Sequence, residues 1–298
     1  MTQAALKAGR PARNRRRPAR RRRLGRIVLN ALGVLVFVLA VFPVFWMAST
    51  AFKPNSEIFS TTPKPLPTHP TLAHFDFVLN GGIAQVSFWT YFRNSIVLAL
   101  ITVVVSSLLA LLAATAVARF RFRFRTTFLI MLLVVQMVPC ESLVIPLFLD
   151  LKRLDMLNTL PGLAVVYIGF AVPFAIWMLR GFVAAVPKEL EEAAAIDGAG
   201  PIRTFFTVML PLVAPGLVAT SIFSFITAWN EFIFAFTFLD DQDKYTLPIM
   251  LQFFFGRSGT AWGPIMAAST LLTIPVIAFF LLVQRRMVSG LTAGAVKG

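Results

Sequence analysis

Apolar and polar runs alternate along the 298-residue chain so that six stretches stand out, at residues 27–48, 96–118, 128–149, 161–179, 212–239 and 264–283. A helix needs about 20 largely apolar residues to cross the hydrocarbon of a bilayer. The pattern therefore predicts an all-α integral membrane protein with six transmembrane helices. The polar residues that interrupt or join these stretches carry the remaining information.

Between the first two stretches, Ser49 to Tyr91 contains Pro54, Pro63, Pro65, Pro67 and Pro70. Prolines this closely spaced favour extended or polyproline chain over a packed domain, so an external loop is expected, either a passive connector or a contact surface. In the second stretch Ser106, Ala110, Ala114 and Ala118 recur every fourth residue, a small-residue stripe on which another helix can pack closely. The third contains Pro139, Pro146, Gln136 and Glu141. A carboxylate within a span is costly, so Glu141 is expected to face protein or a water-filled path, or to lie near the outer boundary. Asn230 and Glu231, towards the far end of the fifth stretch, either line such a path or bond to a neighbouring helix.

The segment from Pro187 to Pro211 is unusual: it lies between two strongly apolar stretches yet carries Lys188, Glu189, Glu191, Glu192, Asp197 and Arg203. Pro187 can open a helix, and the glutamates then sit near the positive end of its dipole. Ala193 to Ala195 continue that helix, and Asp197-Gly198 stops it, since glycine tolerates a left-handed backbone. A second short helix is expected from Pro201, with Ile202, Phe205, Phe206 and Met209 on one apolar face and Arg203, Thr204 and Thr207 away from it.

This segment resembles the EAA signature of the membrane subunits of ABC importers, in which Glu-Ala-Ala is followed after three residues by Gly and after nine more by Ile-x-Leu-Pro. Here the motif reads Glu192-Ala193-Ala194, Gly198 and Val208-Met209-Leu210-Pro211, with Val for Ile the one departure. The resemblance implies that 187–210 holds the coupling helices, with Glu191, Glu192, Ala193, Ala194, Asp197, Gly198, Leu210 and Pro211 at the contact with a partner ATPase.

Further segments are similar to the permease subunits of carbohydrate ABC importers, and more narrowly to the smaller, six-span subunit of the maltose type. They include Tyr91-Phe92-Arg93-Asn94-Ser95, Ala118-Arg119-Phe120-Arg121-Phe122, Gln136-Met137-Val138-Pro139 and Ala228-Trp229-Asn230-Glu231-Phe232. What this implies is a type I importer permease fold in a heteromeric assembly: a second permease subunit, two ATP-binding subunits, an extracytoplasmic solute-binding protein and a carbohydrate substrate.

Charge adds an orientation. The net charge is +15, and eleven basic residues precede the first apolar stretch, from Lys7 to Arg26, with no acidic residue among them. Residues 1–26 are expected to be a disordered basic tail near anionic lipid. A basic arm is also the footprint of nucleic-acid binding, but its position against a membrane span explains it without nucleic acid. With six spans and the N-terminus inside, 21 of the 28 basic residues fall on the inner side, including Arg119, Arg121, Arg123 and Arg125. Both termini are then cytoplasmic, residues 27–286 form the permease domain, 287–298 a C-terminal tail, and the EAA segment faces the cytosol. The location is a cell membrane, crossed several times.

Candidate chemistry is sparse. There is no G-x-x-x-x-G-K-[ST] phosphate loop, and no Ser/His/Asp or Cys/His set placed for catalysis, so the chain is not expected to be an enzyme. The single cysteine, Cys140, cannot build a disulfide framework, and no cofactor is expected. His69 and His74, both in the proline-rich segment, are expected to be exposed and solvated, with no metal site. Two other classes stay open. An ion-coupled carrier would need a relay of intramembrane acids, for which Glu141 and Glu231 are the candidates, and a scaffold would work through its basic tail. A non-sugar solute is the alternative within the importer reading.

Overall fold

The computed structural model describes residues 19–81, 86–256 and 259–294. Residues 1–47 and 48–298 form two compact units. Of the first unit, what is described belongs to helix α1 (Ala19–Ala51). Its segment Gly25–Ala51 is long and apolar enough to cross a membrane, and a helix apolar on all sides suits that surrounding. Residues 19–26 are thus helical where a disordered tail is expected, because arginine is a good helix former and no proline interrupts them. Residues 1–18 of that tail lie outside the described residues.

The second unit opens with α2 (Asn55–Ile58) and α3 (Ala73–Asn80). Here the expectation of an extended external loop fails. Lys53 and His74 are both buried. Lys53 Nζ donates to the Lys64 carbonyl at 2.6 Å, His74 Nε2 lies 2.9 Å from the Lys53 carbonyl, and Ser49 Oγ donates to the Pro65 carbonyl. Prolines have no N–H, so carbonyls around them are free to accept from these side chains. His74 therefore packs inside, against Gly263, where a β-carbon would collide with its ring. His69 is exposed as expected and pairs with Glu57. The Thr68 N–H, and to a lesser degree His69, hold the Glu57 carboxyl below its usual value against weaker desolvation.

The membrane bundle follows: α4 (Phe88–Arg119), α5 (Arg125–Met137), a 3-10 turn (Cys140–Leu143), α6 (Val144–Arg153), α7 (Leu160–Ala185), α8 (Lys188–Ile196), α9 (Pro201–Thr204), α10 (Leu210–Asn230), α11 (Ile233–Phe238) and α12 (Leu247–Met250). A two-residue antiparallel pair, β1 (Phe255–Gly256) and β2 (Gly259–Thr260), precedes α13 (Trp262–Gly294). Among the described residues five helices are long and apolar enough to cross a membrane, and six if α5 and the helix after it count as one.

That pair corrects the expected third span. The chain bends by 92° between Arg125–Met137 and Cys140–Arg153. The 13 residues of α5 reach only about 20 Å at 1.5 Å per residue, short of the ~30 Å hydrocarbon core. At the break Val138 is extended, and Pro139, without an N–H, follows it. The fifth span also ends early: α10 stops at Asn230, Glu231 is extended, and α11 starts a new helix. At the other end, α13 continues through 287–294, so that part of the expected C-terminal tail is helical, and 295–298 lie outside the described residues.

The core is organised by α4. Ser106, Ala110 and Ala114 are completely buried and Ala118, at the end of the stripe, is half-buried. Ser106 Oγ donates to Ser224 Oγ of α10 at 3.3 Å, and Ser107 and Ser221 pair at 3.2 Å. Small hydroxyls thus serve both close approach and interhelical bonding. Near its start, Asn94 Nδ2 donates to the carbonyls of Asp243 and Tyr245, and Ser95 Oγ accepts from Leu247 N–H, which fastens the 243–247 loop. Trp229 of α10 stacks on Phe225 and donates through Nε1 to the Leu272 carbonyl of α13 at 3.2 Å.

Where α10 meets α7, a β-carbon at Gly216 would collide with the Phe182 ring, whereas one at Gly169 would meet nothing. Gly216→Val is expected to destabilise the purified protein by about 1–3 kcal/mol, the usual cost of overpacking. Thermal unfolding in detergent should show the drop for Gly216→Val and none for Gly169→Ala.

Candidate functional site

Two places gather the candidate residues, one at the α8 corner and one within the bundle. At the corner, Pro187 is the residue before the helix rather than its first, and α8 runs from Lys188 to Ile196 with Glu189 and Glu191 in its first turn. It ends as the sequence suggests. Gly198 has φ +82°, its N–H bonds to the Ala195 carbonyl at 3.0 Å, and the Ala199 N–H bonds to the Ala194 carbonyl at 2.9 Å. These are the paired bonds of a Schellman cap, which needs a left-handed residue at the position of Gly198.

The second short helix is corrected. Pro201 to Asn230 is one continuous span, with a π turn over Phe205–Met209. Leu210 N–H reaches back to the Phe205 carbonyl, one residue further than in an α-helix, immediately before Pro211, which has no N–H to donate. The wide turn shifts the faces. Ile202 and Phe206 are exposed, while Thr204 and Met209 are buried, so the four expected apolar residues do not share one buried face. Leu210 and Pro211 lie at the start of α10, well along the span from the α8 corner.

The EAA residues separate into two sides of α8. Glu191 and Ala194 are half-buried, whereas Glu192, Ala193, Ala195, Ile196 and Asp197 are exposed, Ile196 by 86%. Glu191 faces the bundle because Arg119, the last residue of α4, meets it: Arg119 Nη2 lies 2.6 Å from Glu191 Oε1 and donates to the Val186 carbonyl at 2.9 Å. The Arg119 side chain is only 10% exposed. One guanidinium therefore joins the end of α4, the end of α7 and the first turn of α8. The sequence marks Arg119 only as one of four basic residues beside a membrane span, and nothing in its spacing singles it out from Arg121, Arg123 or Arg125.

Inside the bundle, a cavity of about 230 Å³ is lined by Gln136, Cys140, Glu141, Tyr167 and Glu231, with the Phe170, Phe223 and Phe234 side chains as apolar walls. Glu141 reaches it from the 3-10 turn at the α5 break. Glu231 reaches it from the break after α10, and does two things there. Its Oε1 accepts from Phe234 N–H at 2.8 Å, and its Oε2 accepts from Ala235 N–H at 3.0 Å and from the Tyr167 hydroxyl of α7 at 2.6 Å. Two orphan N–H groups at the start of α11 are thereby satisfied, and α7 is tied to the break. Asn230 is turned elsewhere, its Nδ2 donating back to the Ile226 carbonyl of its own helix at 2.9 Å, and it is not among the lining residues. Tyr167 was invisible in the sequence, being one aromatic residue among many in an apolar stretch.

Comparison with known proteins agrees with this architecture. Residues 106–292 match the family described as binding-protein-dependent transport system inner membrane component. The chain is 44% identical to the diacetylchitobiose uptake system permease protein DasC of Streptomyces coelicolor, over 92% of this chain and 98% of that one. It is 37% identical to the trehalose/maltose transport system permease protein MalG of Thermococcus litoralis, over 92% and 98%. In fold it is similar to a chain of a bacterial ABC transporter for the acidic polysaccharide alginate, with a TM-score of 0.74, 22% identity, and 88% and 96% of the two chains covered. The chain is a multi-pass cell-membrane protein and belongs to the binding-protein-dependent transport system inner membrane components, the permease subunits of ABC importers.

Proposed function

We propose that this subunit conducts a saccharide through an ATP-driven importer, hydrolyses nothing itself, and is moved by two ATP-binding subunits gripping α8. A second permease subunit completes the path, and an extracytoplasmic solute-binding protein delivers the sugar. The carbohydrate assignment is supported by relatives whose names specify diacetylchitobiose, trehalose/maltose and trehalose. Both termini and the EAA corner lie on the cytoplasmic side, as the distribution of basic residues supports.

The observation that carries the mechanism is the two-sidedness of α8. Its outer side presents Glu192, Ala193 and a nearly fully exposed Ile196, an apolar side chain suited to a partner's groove. Its inner side is fastened through Glu191 to Arg119. A push on the outer side therefore reaches α4 through Arg119, and reaches α10 through the Schellman corner and the π turn. The shift between inward-open and outward-open states then follows ATP-driven closure of the partners, and the sugar biases it only through its different affinity for the two states.

Three outcomes are expected. Cysteines placed in the Arg121–Arg125 segment and at Ala195 should react only with cytosolic reagents, and one at Leu66 only with external ones; the reverse would overturn the orientation. Gly198→Val has room for its side chain but places a β-branched residue at φ +82°, where a left-handed backbone costs roughly 1–2 kcal/mol. It should insert normally yet lose sugar uptake while the assembly still hydrolyses ATP. Arg119→Ala should uncouple in the same way, and Arg119→Lys should rescue it only partly, since an ammonium cannot span both Glu191 and the Val186 carbonyl as a guanidinium does. Uptake at the wild-type rate in both Gly198→Val and Arg119→Ala would sink the coupling assignment.

A further inference from the structure

The bundle cavity has a chemistry of its own. Its lining includes two carboxylates, Glu141 and Glu231, and no lysine, arginine or histidine. Both oxygens of Glu231 act as acceptors, and the Tyr167 hydroxyl spends its one proton on Glu231, leaving its oxygen to accept. Against this acceptor-rich side stand the Phe170 and Phe234 rings, which stack on each other at 5.1 Å. Acceptors beside aromatic walls suit a ring that has an apolar face and donates hydroxyl hydrogens at its edge. A negatively charged group would meet two carboxylates with no cation in the lining to pair it. At about 230 Å³ the space is also below the ~300–1,000 Å³ of pockets that enclose a whole drug-sized ligand.

We propose that this cavity is a subsite of the translocation path for a single glycosyl residue without negative charge, and that Glu141 and Glu231 make it reject anionic sugars such as uronic acids. The proposal rests on the permease reading above and adds a substrate class to it.

The chain carries its own reporter. Cys140 is its only cysteine, is exposed, and lines the cavity. In the complete importer, reconstituted in proteoliposomes with cysteine-free partner subunits, Cys140 is titrated with a cationic and an anionic methanethiosulfonate of similar size. The rates are each divided by those with a free thiol, so that changes in the reactivity of Cys140 itself cancel in their ratio. The cationic reagent should lead by at least about ten-fold, the ratio that ~1.4 kcal/mol of potential produces. Glu141→Gln should bring that ratio towards one, and Glu231→Gln should do the same if it assembles; Glu141, at the exposed turn, keeps the test valid if Glu231→Gln does not. High concentrations of a neutral methyl glycoside should also slow modification by an uncharged thiol reagent, while the matching methyl glucuronide should not. Equal rates for the two charged reagents, or equal protection by the glucuronide, would overturn the subsite. If either occurs while ATP-driven uptake of a sugar persists, the permease reading stands and this inference alone falls; absence of any sugar uptake by the intact assembly would remove the permease reading instead.

Discussion

The bundle depends on how closely α4 can approach its neighbours. Its buried side carries hydroxyls and methyl groups at Ser106, Ser107, Ala110 and Ala114, so α7 and α10 can pack against it. Lipid tails are as apolar as leucine, so large apolar side chains give little drive for helices to associate in a membrane; close backbone packing and interhelical hydrogen bonds must do it. The pairs Ser106 with Ser224 and Ser107 with Ser221 supply the second at the same contact. A bulky residue anywhere along this stripe would push apart the helices that frame both candidate sites.

Both of those places are sites where a helix ends and a polar side chain takes over the unsatisfied backbone. Within a membrane this is obligatory, because no bulk water is available to an orphan N–H or carbonyl. Glu231 closes the break between α10 and α11 by accepting two N–H groups, and the same carboxylate anchors Tyr167 and lines the cavity. Arg119 closes the end of α7 by donating to the Val186 carbonyl, and the same guanidinium holds α8. In each case one residue both repairs a helix end and ties a second element to it. The fold can therefore interrupt its helices at the EAA corner and beside the cavity without leaving these backbone groups unpaired.

The proline-rich segment obeys the same accounting outside the bundle. Composition suggested an extended tether, but Lys53 and Ser49 find carbonyls left without partners, at Lys64 and Pro65, and His74 bonds to Lys53 beneath Gly263. The result is a compact cap with two short helices.

Much of this was legible in the residues alone. Long apolar runs specify helices in a bilayer because length and hydrophobicity are local properties, so the α-helical membrane fold, the small-residue stripe of α4 and the left-handed corner at Gly198 could all be read without coordinates. Glu192 and its neighbours could be recognised as an EAA-like segment because the motif is contiguous. Contacts between distant segments could not be read: that Glu191 turns inward to Arg119, 72 positions earlier, that Glu141 and Glu231 line one cavity while Asn230 does not, and that the Tyr167 hydroxyl donates to Glu231. Nor could the 92° bend or the π turn, since proline marks where a helix loses a bond but only packing decides how the chain absorbs it. Periodicity reports which face of a helix is apolar; which groups meet across the bundle is decided by where helices stop and how closely they approach, and that exists only once the chain has folded.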